Sequence, residues 1–196
     1  MYNKLNVTEN HLQALSLFTN GFDNEFYIRE AQRALKISPR TSQTVLADLE
    51  NRGILTSKKR GKIISYRLKK SDTSRRYMAF CEEYKCISFL KGNALITEII
   101  EKISGHIDGI GVIFGSYAKD LARKDSDLDV FVAGACDREQ MDTASRTYGV
   151  DISIKCYPLE TFRKTLRNDI LVKEVLKSHV VFLNSEQFVK EVFEHG

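Results

Sequence analysis

The sequence predicts an α/β (α+β) protein of two modules: a small helical unit ending in a hairpin, then a mixed sheet flanked by helices. Three observations carry this. Before residue 53, apolar residues recur three times at helical spacing, and two short β-prone runs follow. Farther on, "GVIF", "DSDLDVFVA" and "VDISIKCY" read as strands separated by helix-patterned segments. Charge is also split, with 15 Lys+Arg against 7 Asp+Glu in residues 1–80 and 15 against 19 in the remainder. A basic front and an acidic back suit modules with different partners.

Bulk properties narrow the classes. A chain of 196 residues suits one large domain or two small ones and can bury a real core. No apolar run approaches the roughly 20 residues needed to span a bilayer. The start, "MYNKLNVTENHLQ", lacks an apolar signal core, so a cytoplasmic location without membrane contact is expected. Cys81, Cys86, Cys136 and Cys156 form no C-x-x-C pair, and His11, His106, His179 and His195 are isolated. Free thiols in a reducing compartment are expected, and a zinc site is not.

The front half is read as three helices. Residues 10–20 place Leu12, Leu15 and Phe18 on one face, and residues 26–36 repeat the pattern through Ile28, Ala31 and Leu35. The third helix, 38–52, has Ser38 as N-cap, Pro39 at the first helical position and Gly53 as its left-handed stop. Val45, Leu46 and Leu49 face inward, which leaves Arg40, Thr41, Gln43 and Thr44 outside near the N-terminal end. In "ILTSKKRGKIISYRLKK", two β-prone runs flank a basic turn of Lys58, Lys59, Arg60, Gly61 and Lys62.

Three helices followed by a basic hairpin resemble a winged helix-turn-helix domain over about residues 5–70. The resemblance implies double-stranded DNA as partner. Arg40, Thr41, Gln43 and Thr44 would face the major groove, and Lys58, Lys59, Arg60 and Lys62 would meet phosphate. Winged helices also contact protein, and less often RNA. The expected boundaries are 1–70 for this domain, 71–92 for a linker helix and 93–196 for the second domain. The linker, broken at Gly92-Asn93, carries an apolar stripe through Tyr77, Phe80, Tyr84 and Ile87 that can join the modules or pair with a second copy.

The chemistry lies in the back half. "GIGVIFG" is not a dinucleotide loop, because its spacing is wrong and its glycines lead into a strand instead of following one. No P-loop sequence occurs. A strand at 110–114 is expected to end in the turn Gly115-Ser116, with "SYAKDLAR" as a short helix beyond it. That helix start, with the Ser116 hydroxyl and the Lys119 charge, makes a phosphate seat. In the next strand Leu128, Val130 and Val132 share one face, and Asp127 and Asp129 share the other. Residues two apart lie about 6.6 Å from each other, so the two carboxylates can serve cations about 3.5–4 Å apart. In "VDISIKCY", Asp151 lies on the polar face and joins them if the strands are neighbours. Three carboxylates without histidine favour Mg²⁺ or Mn²⁺.

Gly115-Ser116, ten residues, Asp127-Leu128-Asp129 and a later Asp151 together resemble the DNA polymerase β-type nucleotidyltransferase superfamily, and its small prokaryotic minimal members most, over about residues 93–160. The resemblance implies that Asp127 and Asp129 hold two metal ions. Asp151 would complete one of them and help deprotonate the attacking hydroxyl, while Gly115 and Ser116 would hold the β- and γ-phosphates. Members of the family often carry Gly where this chain has Asp120.

The expected function is metal-dependent transfer of NMP from an NTP, ATP favoured, to an acceptor hydroxyl, with a DNA-binding module attached. The alternative is a DNA-binding regulator or antitoxin whose second module senses nucleotide or binds a toxin partner without turnover. The acceptor, a protein among the candidates, has no motif here. Arg163, Lys164 and Arg167 read as a solvated helix face.

Overall fold

The computed structural model describes residues 4–61, 63–123 and 125–196. Lys62, expected to contact DNA phosphate, lies outside them. The chain divides into two compact units, Met1–Cys81 and Glu82–Gly196. Among the described residues no helix is long and apolar enough to cross a membrane.

The first unit opens with α1 (Glu9–Thr19), β1 (Glu25–Tyr27), α2 (Ile28–Leu35) and α3 (Pro39–Asn51), followed by β2 (Leu55–Arg60) and β3 (Ile63–Leu68). The strands form an antiparallel sheet in the order β1-β3-β2. One expectation is corrected here: residues 25–27 are a strand, and the second helix starts only at Ile28. Aromatic Phe26 and Tyr27 suit a pleated edge. Tyr27 then turns the chain into α2, its N–H donating to Glu30 Oε2 at 2.9 Å. The core is Leu12, Leu15, Phe18, Val45, Leu46 and Leu49, with Phe18 edge-on to Phe26 at 5.1 Å.

Both ends of α3 are as the sequence indicates. Ser38 Oγ accepts from the Thr41 N–H at 3.1 Å, and Gly53 at φ +73° passes its N–H to the Glu50 carbonyl. Such a cap contributes about 1 kcal/mol. The hairpin differs from expectation. Lys58, Lys59 and Arg60 are strand residues paired with Ser65, Ile64 and Ile63, so these three belong to the strand and not to the turn. Gly61 at φ +61° supplies the tight reversal.

Helix α4 (Asp72–Gly92) contains the boundary between the units. The second unit continues with α5 (Ala94–Ser104), β4 (Ile107–Ile113), α6 (Gly115–Ala118) and β5 (Leu128–Cys136). After these come α7 (Arg138–Tyr148), β6 (Ile152–Tyr157), α8 (Leu159–Thr165), α9 (Ile170–Lys177), β7 (Val180–Leu183) and α10 (Ser185–His195). The sheet order is β6-β5-β4-β7, with β5 and β6 parallel and the other pairs antiparallel.

Strand β5 is buried on both sides. Leu128, Val130 and Val132 pack with Ile96, Ile99 and Ile103 of α5 and with Met141 and Ala144 of α7. Phe131, on the alternate face, meets Tyr157 and Phe162, and Phe162 stacks on Phe188 of α10. Two boundaries move from their expected places. Strand β4 begins at Ile107, so Gly109 and Gly111 lie within it and do not precede it. Gly111 lies close under Phe182, so a methyl group there would push the Phe182 ring aside.

The helix expected over "SYAKDLAR" stops after one turn. Asp120 takes the left-handed conformation, φ +55°, and its N–H donates to the Tyr117 carbonyl at 3.2 Å. The Leu121 N–H donates back to the Ser116 carbonyl at 2.9 Å. Those two bonds close a Schellman cap with Asp120 at the position where glycine is favoured.

Candidate active site

The end of β4, the start of β5 and the start of β6 lie along one edge of the second sheet. Register fixes this: Ile113 pairs with Val130, and Leu128 pairs with Ile152. Across that edge the order is Gly115-Ser116 beyond β4, Asp127 and Asp129 at β5, and Asp151 at the entry to β6. The segments are tied by backbone. Phe114 N–H donates to the Asp129 carbonyl at 3.0 Å, and Leu128 N–H donates to the Asp151 carbonyl at 2.7 Å.

Gly115 sits at φ +70° directly against Asp129, and a side chain there would collide with the Asp129 carboxylate. The Gly-Ser turn and the D-x-D pair are thus in contact, although ten residues separate Ser116 from Asp127 in the chain. Ser116 is half-buried, in the single turn of α6.

The aspartates occupy different surroundings. Asp129 is half-buried within β5, while Asp127 and Asp151 are exposed and lead into their strands instead of lying inside them. Burial holds the Asp129 carboxyl above its ordinary range, and the charges of Asp127 and then Glu174 push the same way. A hydrogen bond with Ser153 and the charge of Lys155 partly oppose this. Asp127 and Asp151 line a cleft of about 410 Å³ together with Asp125, Ser145 and Arg146.

Among the described residues no three His, Cys, Asp or Glu side chains are gathered as a ready metal site. The donor chemistry nonetheless fits a hard divalent cation, since an all-oxygen set crowds like charges around a half-buried carboxylate.

Lys119 is exposed and pairs with Glu174 of α9 at 3.3 Å, while the Ser178 hydroxyl donates to the Ala118 carbonyl at 3.0 Å. Helix α9 thereby braces the Gly-Ser turn. Glu174 and Ser178 carry no motif and were missed by sequence reasoning. Ser153, two places after Asp151 on an alternating strand, was findable as the neighbour of Asp129. Asp120 is exposed. Arg163, expected on a solvated helix face, is instead half-buried and held by Glu191, itself buried, with its Nη2 donating to Glu191 at 2.8 Å.

In the first unit, Arg40, Gln43 and Thr44 are exposed on α3 and Thr41 is half-exposed. Lys58, Lys59 and Arg60 are exposed along β2. Behind α3, Asp48 accepts from His11 at 2.9 Å and from Arg52 at 2.7 Å. The Arg52 bond leads in holding the Asp48 carboxyl below its ordinary range.

A model of the family described as "Nucleotidyltransferase domain" matches residues 94–194. The chain also shows a distant likeness to the solved structure of TrmBL2, described as an archaeal chromatin protein with a novel mode of DNA binding. That likeness has 12% identity and a TM-score of 0.31, and covers 88% of this chain and 71% of that one. No curated protein matches.

Proposed function

Because the chain belongs to the nucleotidyltransferase domain family, we propose that it transfers NMP from an NTP, ATP favoured, to an acceptor hydroxyl. We read the first unit as a winged helix-turn-helix that binds double-stranded DNA. The observation that carries the transferase reading is the contact between Gly115 and Asp129, which seats a turn suited to phosphate against the acid pair.

In this reading Gly115 and Ser116 hold the β- and γ-phosphates and Lys119 neutralises part of their charge. Asp127, Asp129 and Asp151 would hold Mg²⁺ or Mn²⁺, two ions in all, which when bound supply charge stabilisation to the attacking and leaving oxygens. Asp151 accepts the proton of the acceptor hydroxyl. The acceptor's hydroxyl oxygen, freed of that proton, forms the new bond to the α-phosphorus as the bond to pyrophosphate breaks, and pyrophosphate leaves on the opposite side. Glu174 and Ser178 position the turn through Lys119 and the Ala118 carbonyl.

Incubation with α-labelled ATP, Mg²⁺ and lysate as acceptor source tests the proposal. Label transfer is expected from the wild type and not from Asp127→Ala/Asp129→Ala. Equal labelling by both would sink the assignment. Nucleotide binding without any transfer would make the module a sensor.

The DNA reading rests on the order of elements, the exposed polar start of α3 and the exposed cations of β2. Each phosphate contact steepens the salt dependence of binding. Neutralising Lys58, Lys59 and Arg60 should lower the salt slope by about one per residue. A slope indifferent to them points to a protein partner.

A further inference from the structure

The cleft on the β6 side of the acids is built unlike the turn on the β4 side. Asp125, Asp127 and Asp151 line it together with Ser145 and Arg146, from the end of α7. The Ser145 hydroxyl is committed to the Val150 carbonyl at 2.8 Å, which ties the end of α7 to the segment leading into Asp151. Arg146 is exposed and reaches only Thr143, at 3.4 Å; among the described residues it has no carboxylate within ion-pair distance. It is the one base among the described residues lining this cleft. An arginine that lines the same cleft as three aspartates without pairing with them is available to a ligand.

Strand order decides which ligand. From β4 through β5 to β6, the edge presents Gly115-Ser116, then Asp127 and Asp129, then Asp151. An in-line displacement needs the attacking oxygen and the leaving pyrophosphate on opposite sides of the phosphorus. With the triphosphate over the Gly-Ser turn, the acceptor enters over β6, through this cleft. We propose that Arg146 is a specificity-determining residue that selects acceptors carrying an anionic group, such as phosphate, beside the attacked hydroxyl. The hydroxyl faces Asp151 and the anion meets the guanidinium, a charge-assisted pairing that arginine makes best. This rests on the nucleotidyltransferase reading of the site.

The probes are glycerol 3-phosphate and glycerol, which offer similar hydroxyls with and without an anion. Each is titrated into the full chain with Mg²⁺ and α,β-methylene-ATP, and the backbone amide signals of Gly149, Val150 and Asp151 are followed by NMR. Glycerol 3-phosphate should shift those signals in the wild type. Arg146→Glu should weaken it about 10-fold or more, Arg146→Lys less, and glycerol should bind weakly to all three. In the labelling assay Arg146→Glu should lower transfer with the KM for ATP unchanged. No shift in the wild type, equal binding by Arg146→Glu, or equal response to the two probes would overturn the proposal. Failure of α,β-methylene-ATP to perturb the Gly115 and Ser116 amides would instead count against the transferase reading.

Discussion

Gly115 has no side chain because Asp129 occupies the space one would fill: a methyl group on its Cα would overlap Oδ2 of that carboxylate. The two halves of the sequence motif are therefore one packed unit, and glycine is needed both for its φ of +70° and for the close approach.

Replacing Gly115 by Ala should displace Asp129 and also strain the turn. A loss of about 1–3 kcal/mol in stability is expected from backbone strain and overpacking. Thermal unfolding measures this, and label transfer should fall with it.

Asp129→Asn should separate stability from function. It relieves the repulsion with Asp127 and Glu174 while keeping an acceptor for Ser153, so the ligand-free protein should be unchanged or more stable by a few tenths of a kcal/mol. Mg²⁺ should raise the Tm of the wild type, and of this variant much less, because only a bound ion adds stability by mass action. Calorimetry with and without Mg²⁺ checks both points.

At Asp120 the left-handed conformation, not charge, is the constraint. Asp120→Gly should be neutral or stabilising. Asp120→Val should cost about 1–2 kcal/mol, a fall of several degrees in Tm for a chain of this size. Denaturant midpoints of the three proteins would show the order.

Acid should loosen the second unit through Glu82. This buried side chain accepts from Lys85 at 2.9 Å and from His179 at 3.1 Å. Burial is the largest influence and raises its pKa, but the charges of Lys85 and His179 together with their hydrogen bonds outweigh it, and the net shift is downward. A depressed folded-state pKa gives stability that is present above the ordinary glutamate value and lost as pH falls through the folded one. Stability should therefore drop below about pH 4.5, the ordinary glutamate value. Glu82→Gln should flatten that dependence, as a pH series of unfolding curves will show. Glu82→Ala should cost about 3–5 kcal/mol at neutral pH, since it strands buried charge.

Much of the architecture was legible because its signals are local. Ser38-Pro39 and Gly53 marked both ends of α3, and alternation marked β5 and β6. The strand at Glu25–Tyr27 was missed because it exists only by pairing with Ser65, Tyr66 and Arg67, some forty residues away. Asp127, Asp129 and Asp151 stood out by spacing. Glu174 and Ser178 did not, since a lone acid and a lone serine on a helix are ordinary until the fold brings them to Lys119 and Ala118.

By itself the sequence determined the two-part charge pattern, the helices with their caps, the alternation of the strands and the family motif, all of which are read from residue type and spacing along the chain. Tertiary structure alone decided which acids share a cleft, why Gly115 carries no side chain and which end of the sheet faces Arg146. Those relationships depend on strand order and register. They arise from burying both faces of β5 between α5 and α7 on one side and the Phe131–Phe162–Phe188 stack on the other.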